Sequence, residues 1–473
     1  MALLYRLVKL RDAGDTRVFT FIVTRTVTRD VHRNDVTSKE FPCACHKWAI
    51  SFTRTDRQAL GVFLVWRSAC VGIRCYVDFV FTLLNREHFG QNEVFSAKCC
   101  RFTVDQLANG NRRLIPSIDE LRSRAFTDDN GEFQVEVALA NITTVFESDI
   151  RVPHPLCFSH GKSAAKLETN YFLFGNFEWN VAVVPLHDAP DKILITLNRL
   201  TGFDYQCRVR YRVVLGDGDR RLDSSPINDF SDSDGRGFGW PVKAQLSDFV
   251  RRGSLRIYIE LISAHTISEV KVFPSNGIST CYDREKQTWA IEADANGDFL
   301  RLKVVYKDAI SLARNHLRYV AWSAQIVRRH PKTGTRDLTE VLKTPLSHYY
   351  IHEADDGIMM ETNIPIHEVI SDPACFFLDD SNHLIVHIEW IESVILFQAS
   401  YHKYDEICRA QNYQMRKEIN SLQTENQRLE RQLLRCRKSL AYFTSRFGRG
   451  SEELPPSPEA CPAAQQLSAS DTD

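Results

Sequence analysis

Charge of one sign is missing from this chain of 473 residues: 59 Lys and Arg stand against 60 Asp and Glu, a formal net charge of -1. No whole-protein field therefore draws in nucleic acid or an acidic membrane, and any charge-driven partner must be met locally. Long apolar runs are missing too. The opening Met1-Ala-Leu-Leu-Tyr-Arg-Leu-Val-Lys-Leu10 is interrupted by Arg6 and Lys9 before a secretory core forms, and no stretch approaches the roughly 18 residues of a membrane span. Neither secretion nor a membrane span is expected. Paired cysteine spacing is absent as well: 13 scattered cysteines, an odd number, fit reduced thiols in a cytoplasmic or nuclear compartment better than a disulfide framework.

Motifs that carry chemistry are equally scarce. Cys43-Ala-Cys45-His46 offers ligands that zinc prefers, but the next cysteines, Cys70 and Cys75, do not complete a paired knuckle. Ser159-His-Gly161-Lys162-Ser163 ends like a phosphate-binding loop, yet Leu156 stands where the earlier glycine is required. Phe230-Ser-Asp232-Ser-Asp234-Gly235 would place Phe230 and Pro241 at the first and last ligand positions of a calcium loop. No Gly-x-Ser-x-Gly elbow occurs, and no Cys/His pair has the sequence context of a nucleophile and its base. The expectation is a non-enzymatic protein with no metal or cofactor.

What is present is a pattern repeated three times. Trp-centred segments recur as Lys47-Trp48-Ala-Ile-Ser-Phe52, Glu178-Trp179-Asn-Val-Ala-Val183 and Thr288-Trp289-Ala-Ile-Glu-Ala293. Each is followed by alternating stretches of period two, which read as strands. Next comes a short apolar-x-acidic-apolar element, Ile118-Asp-Glu-Leu121, Leu246-Ser-Asp-Phe249 and Ile366-His-Glu-Val369, lying 70, 67 and 77 residues after its tryptophan. A closing strand then sets apolar residues on one face: Phe133, Val135, Val137 and Leu139; Leu255, Ile257, Ile259 and Leu261; Leu384, Val386, Ile388 and Trp390. Strands with one apolar face need a second layer to cover it, so each copy reads as a small antiparallel β-sandwich with its tryptophan in the core.

This order of elements resembles the MATH, or TRAF, domain family. The middle copy carries the best match: Gly235-Arg-Gly-Phe238-Gly239-Trp240-Pro-Val242 leading into Leu246-Ser-Asp-Phe249 looks like the family's aromatic-Gly-aromatic turn and the acidic segment after it. The resemblance implies that Phe238 lines a groove for an extended peptide and that Trp240 points toward the core. The corresponding segments of the outer copies, Gly110-Asn-Arg-Arg-Leu-Ile115 and Gly357-Ile-Met-Met-Glu361, lack that turn.

From Tyr401 the pattern changes to Gln, Glu, Arg and Leu, with neither Gly nor Pro until Gly448. A long helix is predicted. With Ile419 as position a, the a positions include Asn412, Ile419, Asn426, Leu433 and Leu440, and the d positions Met415, Leu422, Leu429 and Cys436. This register predicts a coiled coil, with a parallel homodimer favoured because Asn at a pairs with its own copy. Seven basic residues lie between Arg428 and Arg449 against the single acidic Glu430, and the Pro/Ser-rich acidic end reads as disordered.

The expected fold is therefore mainly β: three tandem sandwiches at 15–150, 166–274 and 280–398, a coiled coil at 402–445 and a disordered tail at 447–473. The expected function is an oligomeric adaptor that binds extended peptide segments of partner proteins. The alternative is a structural component of a cytoskeletal, centrosomal or ribonucleoprotein assembly, reached through the basic helix.

Overall fold

The computed structural model describes residues 2–10, 15–29, 35–55, 59–152, 167–186, 189–218, 221–231, 239–275, 277–329, 336–342, 344–353, 356–370, 376–397 and 403–447. The first repeat contributes β1 (Ala2–Leu10), β2 (Thr16–Val23), α1 (Thr26–Arg29), β3 (Asp35–Thr37), β4 (Phe41–Cys43), β5 (His46–Thr55), β6 (Ala59–Trp66), β7 (Ile73–Leu83), β8 (Glu93–Phe102), β9 (Ala108–Ile115), α2 (Ile118–Ser123) and β10 (Phe133–Arg151). The second contributes β11 (Leu167–Glu168), β12 (Phe172–Phe174), β13 (Phe177–Leu186), β14 (Ala189–Arg199), β15 (Gln206–Leu215), β16 (Leu222–Asp223), β17 (Ile227–Ser231), β18 (Trp240–Val242), β19 (Val250–Arg251) and β20 (Ser254–Val272). The third contributes β21 (Ile278–Tyr282), β22 (Thr288–Asp294), β23 (Phe299–Tyr306), β24 (His316–Arg329), β25 (Arg336–Glu340), β26 (Leu346–Tyr350), β27 (Ile358–Pro365), α3 (Ile366–Ile370) and β28 (Leu384–Phe397), before the helix α4 (Lys403–Phe447).

Period two in the sequence becomes antiparallel sheet, and the predicted apolar faces are buried. Trp48, Trp179 and Trp289 are fully covered, as are Val135, Val137, Leu255, Ile257, Ile259, Leu384, Val386 and Ile388. The acidic-apolar element forms a short turn of helix in each repeat, α2, a 3-10 turn at Leu246–Asp248 and α3, and drops Leu121, Phe249 and Val369 into the core.

Three separate sandwiches are not what these elements build. Each repeat has a small sheet of its own, β3-β5-β6-β9, β11-β13-β14-β18 and β21-β22-β23-β27, but the opposing layer is a single 14-stranded sheet common to all three. The closing strands join it. β10 is 19 residues long, pairs through Phe133–Leu139 with β2 and then through Thr144–Arg151 with β20. β20, also 19 residues, passes from β10 to β28 in the same way, through Thr266–Val272. A strand that outruns its own sandwich presents free N–H and C=O groups, and the next repeat's strand satisfies them. The cores follow suit: the first and second repeats share one apolar cluster, with Phe146 stacked on Phe172 at 4.0 Å, while the third packs around Trp289, Trp322 and Trp390.

The coiled coil is also corrected. α4 is one helix of 45 residues, and no second long helix exists among the described residues to face it. A heptad stripe becomes a seam only when another strand supplies the holes. From Cys408 onward the helix belongs to a compact unit distinct from residues 1–407, and Met415, Ile419, Leu422, Leu429, Leu433 and Leu440 stand exposed along it, with Asn426 and Cys436 exposed between them. The tail expected at 447–473 lies outside the described residues beyond Phe447. No described helix is long and apolar enough to cross a membrane.

Candidate functional site

The hairpin turn before each tryptophan sets the geometry. β4 and β5 are joined by Ala44-Cys45, with φ of +50° and +63°, and β12 and β13 by Gly175-Asn176, with +59° and +61°. A two-residue turn of type I′ demands positive φ at both positions, which glycine and asparagine adopt at little cost and other residues do not. Gly175 is required for a second reason, because an added Cβ would lie 2.6 Å from Cβ of Ala264. The third repeat uses the longer loop Asp283–Gln287, closed by Gln287 N–H donating to Asp283 Oδ1 at 2.9 Å.

Each indole fastens its turn. Trp48 Nε1 donates to the Cys43 carbonyl at 3.2 Å, Trp179 Nε1 to the Phe174 carbonyl at 2.9 Å and Trp289 Nε1 to Asp283 Oδ2 at 3.0 Å. The amide before each tryptophan is also held by a side chain, from Ser68, Thr201 and Asp308 in turn. The turns are thus fixed from both ends.

All three turns line one cavity of about 950 Å³, together with Ile262–Thr266 of β20 and the β28 residues from Trp390 to Ile395. At its wall, polar contacts join every pair of repeats. Ala264 N–H of the second repeat donates to Cys45 Sγ of the first at 3.3 Å. Arg284 of the third reaches the carbonyls of Gly175, at 2.5 Å, and Asn176 in the second, with its guanidinium 4.0 Å above the Phe177 ring. Arg17 Nη1 of the first meets Glu392 Oε1 of the third at 3.0 Å, where β1 lies against β28 without a ladder.

The titratable groups around this junction differ sharply in state. His46 is held on both ring nitrogens, Nε2 2.7 Å from Thr144 Oγ1 and Nδ1 3.2 Å from Ser68 Oγ, and burial drives its pKa down to about 3. Burial pushes the Cys43 thiol up to about 12. Both are neutral groups already engaged in the core, so Cys43-Ala-Cys45-His46 does not converge on a point in space, and no cluster of three His, Cys, Asp or Glu suited to a metal occurs among the described residues. Cys45 behaves otherwise. Its sulfur accepts from Ala264 N–H at 3.3 Å and lies in the field of His265, whose Nδ1 is 2.7 Å from Glu389 Oε1, and Glu389 Oε2 in turn meets Arg208 Nη1 at 3.1 Å.

A second set of features sits on the sheet edges. From the spine of β10, β20 and β28, each repeat sends out one corresponding arm, β7-β8, β15 with β16 and β17, and β24 with β25 and β26, and β2-β1 adds a further branch on β10. The outermost strand of each arm is hydrogen-bonded on one side only among the described residues. On β8 a bulge at Cys99, φ +49°, is anchored by its N–H on Asp78 Oδ1 at 2.5 Å and divides the edge. β17 is followed by the aromatic-Gly-aromatic turn. Phe238 lies outside the described residues. Gly239 has φ of +71°, an added Cβ would lie 2.5 Å from the Ile195 carbonyl, and its N–H donates to Asp229 Oδ2 at 3.3 Å. Trp240 is half-buried and packs on the shared core.

Sequence reasoning missed β1, the Arg17–Glu392 pair and the Cys45–His265–Glu389 cluster. One signal for the last was available, since Ala44-Cys45 occupies a turn where the second repeat has Gly175-Asn176. No family model matches the chain, and no curated protein matches it.

Proposed function

We propose that the chain is a non-enzymatic adaptor that takes extended segments of partner proteins onto its open sheet edges. The reading rests on one observation: the corresponding arm of each repeat ends in a strand with one edge unpaired among the described residues. Such an edge binds an extended peptide through main-chain hydrogen bonds, while neighbouring side-chain pockets select its sequence. β17 is the favoured edge because Phe238 follows it by a few residues, at the position the MATH resemblance assigns to peptide contact. Joining several weak edges in one particle raises apparent affinity by roughly 10²–10⁴. The odd number of scattered cysteines supports a cytoplasmic, or nuclear, setting for this role.

The test uses peptides selected on the full chain from a random display library and measured by fluorescence anisotropy. Phe238→Ala is expected to weaken them by about tenfold or more, the worth of one pocket contact, with the circular dichroism spectrum unchanged. Unaltered affinity rejects the β17 groove.

A further inference from the structure

Ten of the thirteen cysteines lie among the described residues, and one of these is built differently from the buried thiols. Cys43, Cys75, Cys207 and Cys281 are buried, and burial pushes each thiol up to about 12. Cys45 is only half-buried and lines the cavity where the three repeats meet.

Its backbone is the first peculiarity. Cys45 holds φ of +63° at the second position of the Ala44-Cys45 turn, while the second repeat fills the equivalent position with Asn176 beside Gly175. An L-residue with a Cβ in the left-handed region costs roughly 1–2 kcal/mol, a cost the second repeat largely avoids with residues suited to the turn. The strained conformation delivers the sulfur to β20 of the neighbouring repeat.

Its surroundings are the second. Ala264 N–H donates to Sγ at 3.3 Å, the sulfur lies 3.7 Å from the Ala264 carbonyl, and the imidazole of His265, the next residue of β20 and also on the cavity wall, acts electrostatically on the same sulfur. Glu389 fixes that imidazole through Nδ1 at 2.7 Å and is itself held by Arg208 at 3.1 Å. Other charged or titratable groups facing the cluster are Arg17 from β2, Cys207 from β15, Arg284 from the loop after β21 and Glu392 from β28. Thiol, imidazole and carboxylate in sequence, the imidazole oriented by the carboxylate, form the arrangement that activates a cysteine nucleophile. Burial opposes charge at both groups. It is outweighed at Cys45 by the field of His265, which holds the thiol below its ordinary value, and at His265 by Cys45 and Glu389, which lift the imidazole to about 10.

We propose that Cys45 is a peroxide-reactive thiolate, protonically served by His265 and Glu389, and oxidised to the sulfenic acid inside the cavity. The sulfur attacks one oxygen of hydrogen peroxide and the S–O bond forms as the O–O bond breaks. The leaving hydroxide takes the imidazolium proton and departs as water, so sulfur is oxidised, peroxide is reduced and His265 ends neutral. The modification adds an oxygen at the contact between Cys45 and Ala264 that ties the first repeat to the second.

The experiment labels the full reduced chain with iodoacetamide from pH 5 to pH 9 and follows each cysteine by peptide mass spectrometry. Exposed Cys99 and Cys436 are internal references. At pH 7 Cys45 is expected to react at least about tenfold faster than either, as a stabilised thiolate does, and to be the first site captured by a sulfenic-acid trap after peroxide. His265→Asn is expected to erase that advantage and shift the Cys45 profile toward that of Cys99. Labelling of the unaltered chain in which Cys45 follows the two references or lags behind them overturns the proposal, whether or not the variant folds.

Discussion

Arg17 and Glu392 are 375 positions apart in the chain and 3.0 Å apart in the fold. They link the first repeat to the third, between which the shared sheet has no ladder among the described residues. Their side chains are only 13% and 6% exposed, and burial pushes the Glu392 carboxyl above its ordinary value even with the guanidinium beside it.

A desolvated pair of this kind contributes little net stability, but removing one partner strands the other. Arg17→Ala is expected to cost about 3–5 kcal/mol, while the double change Arg17→Met with Glu392→Leu recovers most of that loss. Denaturant midpoints of the three proteins decide it. A loss below about 1 kcal/mol for the single variant would mean that water reaches the pair.

His46 gives the fold a pH dependence of known sign. Its folded pKa lies near 3, below the ordinary 6.5, so between those values the unfolded chain binds a proton that the folded chain refuses. The stabilisation is complete above pH 6.5 and is lost as pH falls toward 3, at up to about 1.4 kcal/mol per pH unit. His46→Gln should flatten that part of the profile. Parallel profiles for the two proteins, from unfolding titrations between pH 7 and pH 4, would contradict the assignment.

Gly239→Ala meets two obstacles at once, a φ of +71° and a Cβ 2.5 Å from the Ile195 carbonyl. A loss of about 2–4 kcal/mol is expected, with weaker peptide capture because Gly239 directly follows Phe238 in the chain. A variant with native stability and native capture would show that the turn is not tied to β14.

The sequence carried the elements more clearly than their assembly. Period-two patterning located the buried faces of β10, β20 and β28, because side-chain alternation is a direct consequence of strand geometry. It could not show that these strands continue into one sheet. Thr144–Arg151 pairs with Ser254–Leu261 through backbone groups, which leave no mark on residue type. Likewise the stripe from Met415 to Leu440 predicts a seam, yet a single chain holds only half of one. The Cys45–His265 contact spans 220 positions, and its trace in the sequence is an unsuited pair of residues in a hairpin turn.

The account turns on whether an extended segment adds to an open edge. Amide hydrogen exchange of the full chain, with and without a saturating library-selected peptide, reads this at the backbone. New protection is predicted at Ile227–Ser231 and in the turn leading to Trp240, with β10, β20 and β28 unchanged. Protection confined to α4, or none on any outer strand, would contradict it.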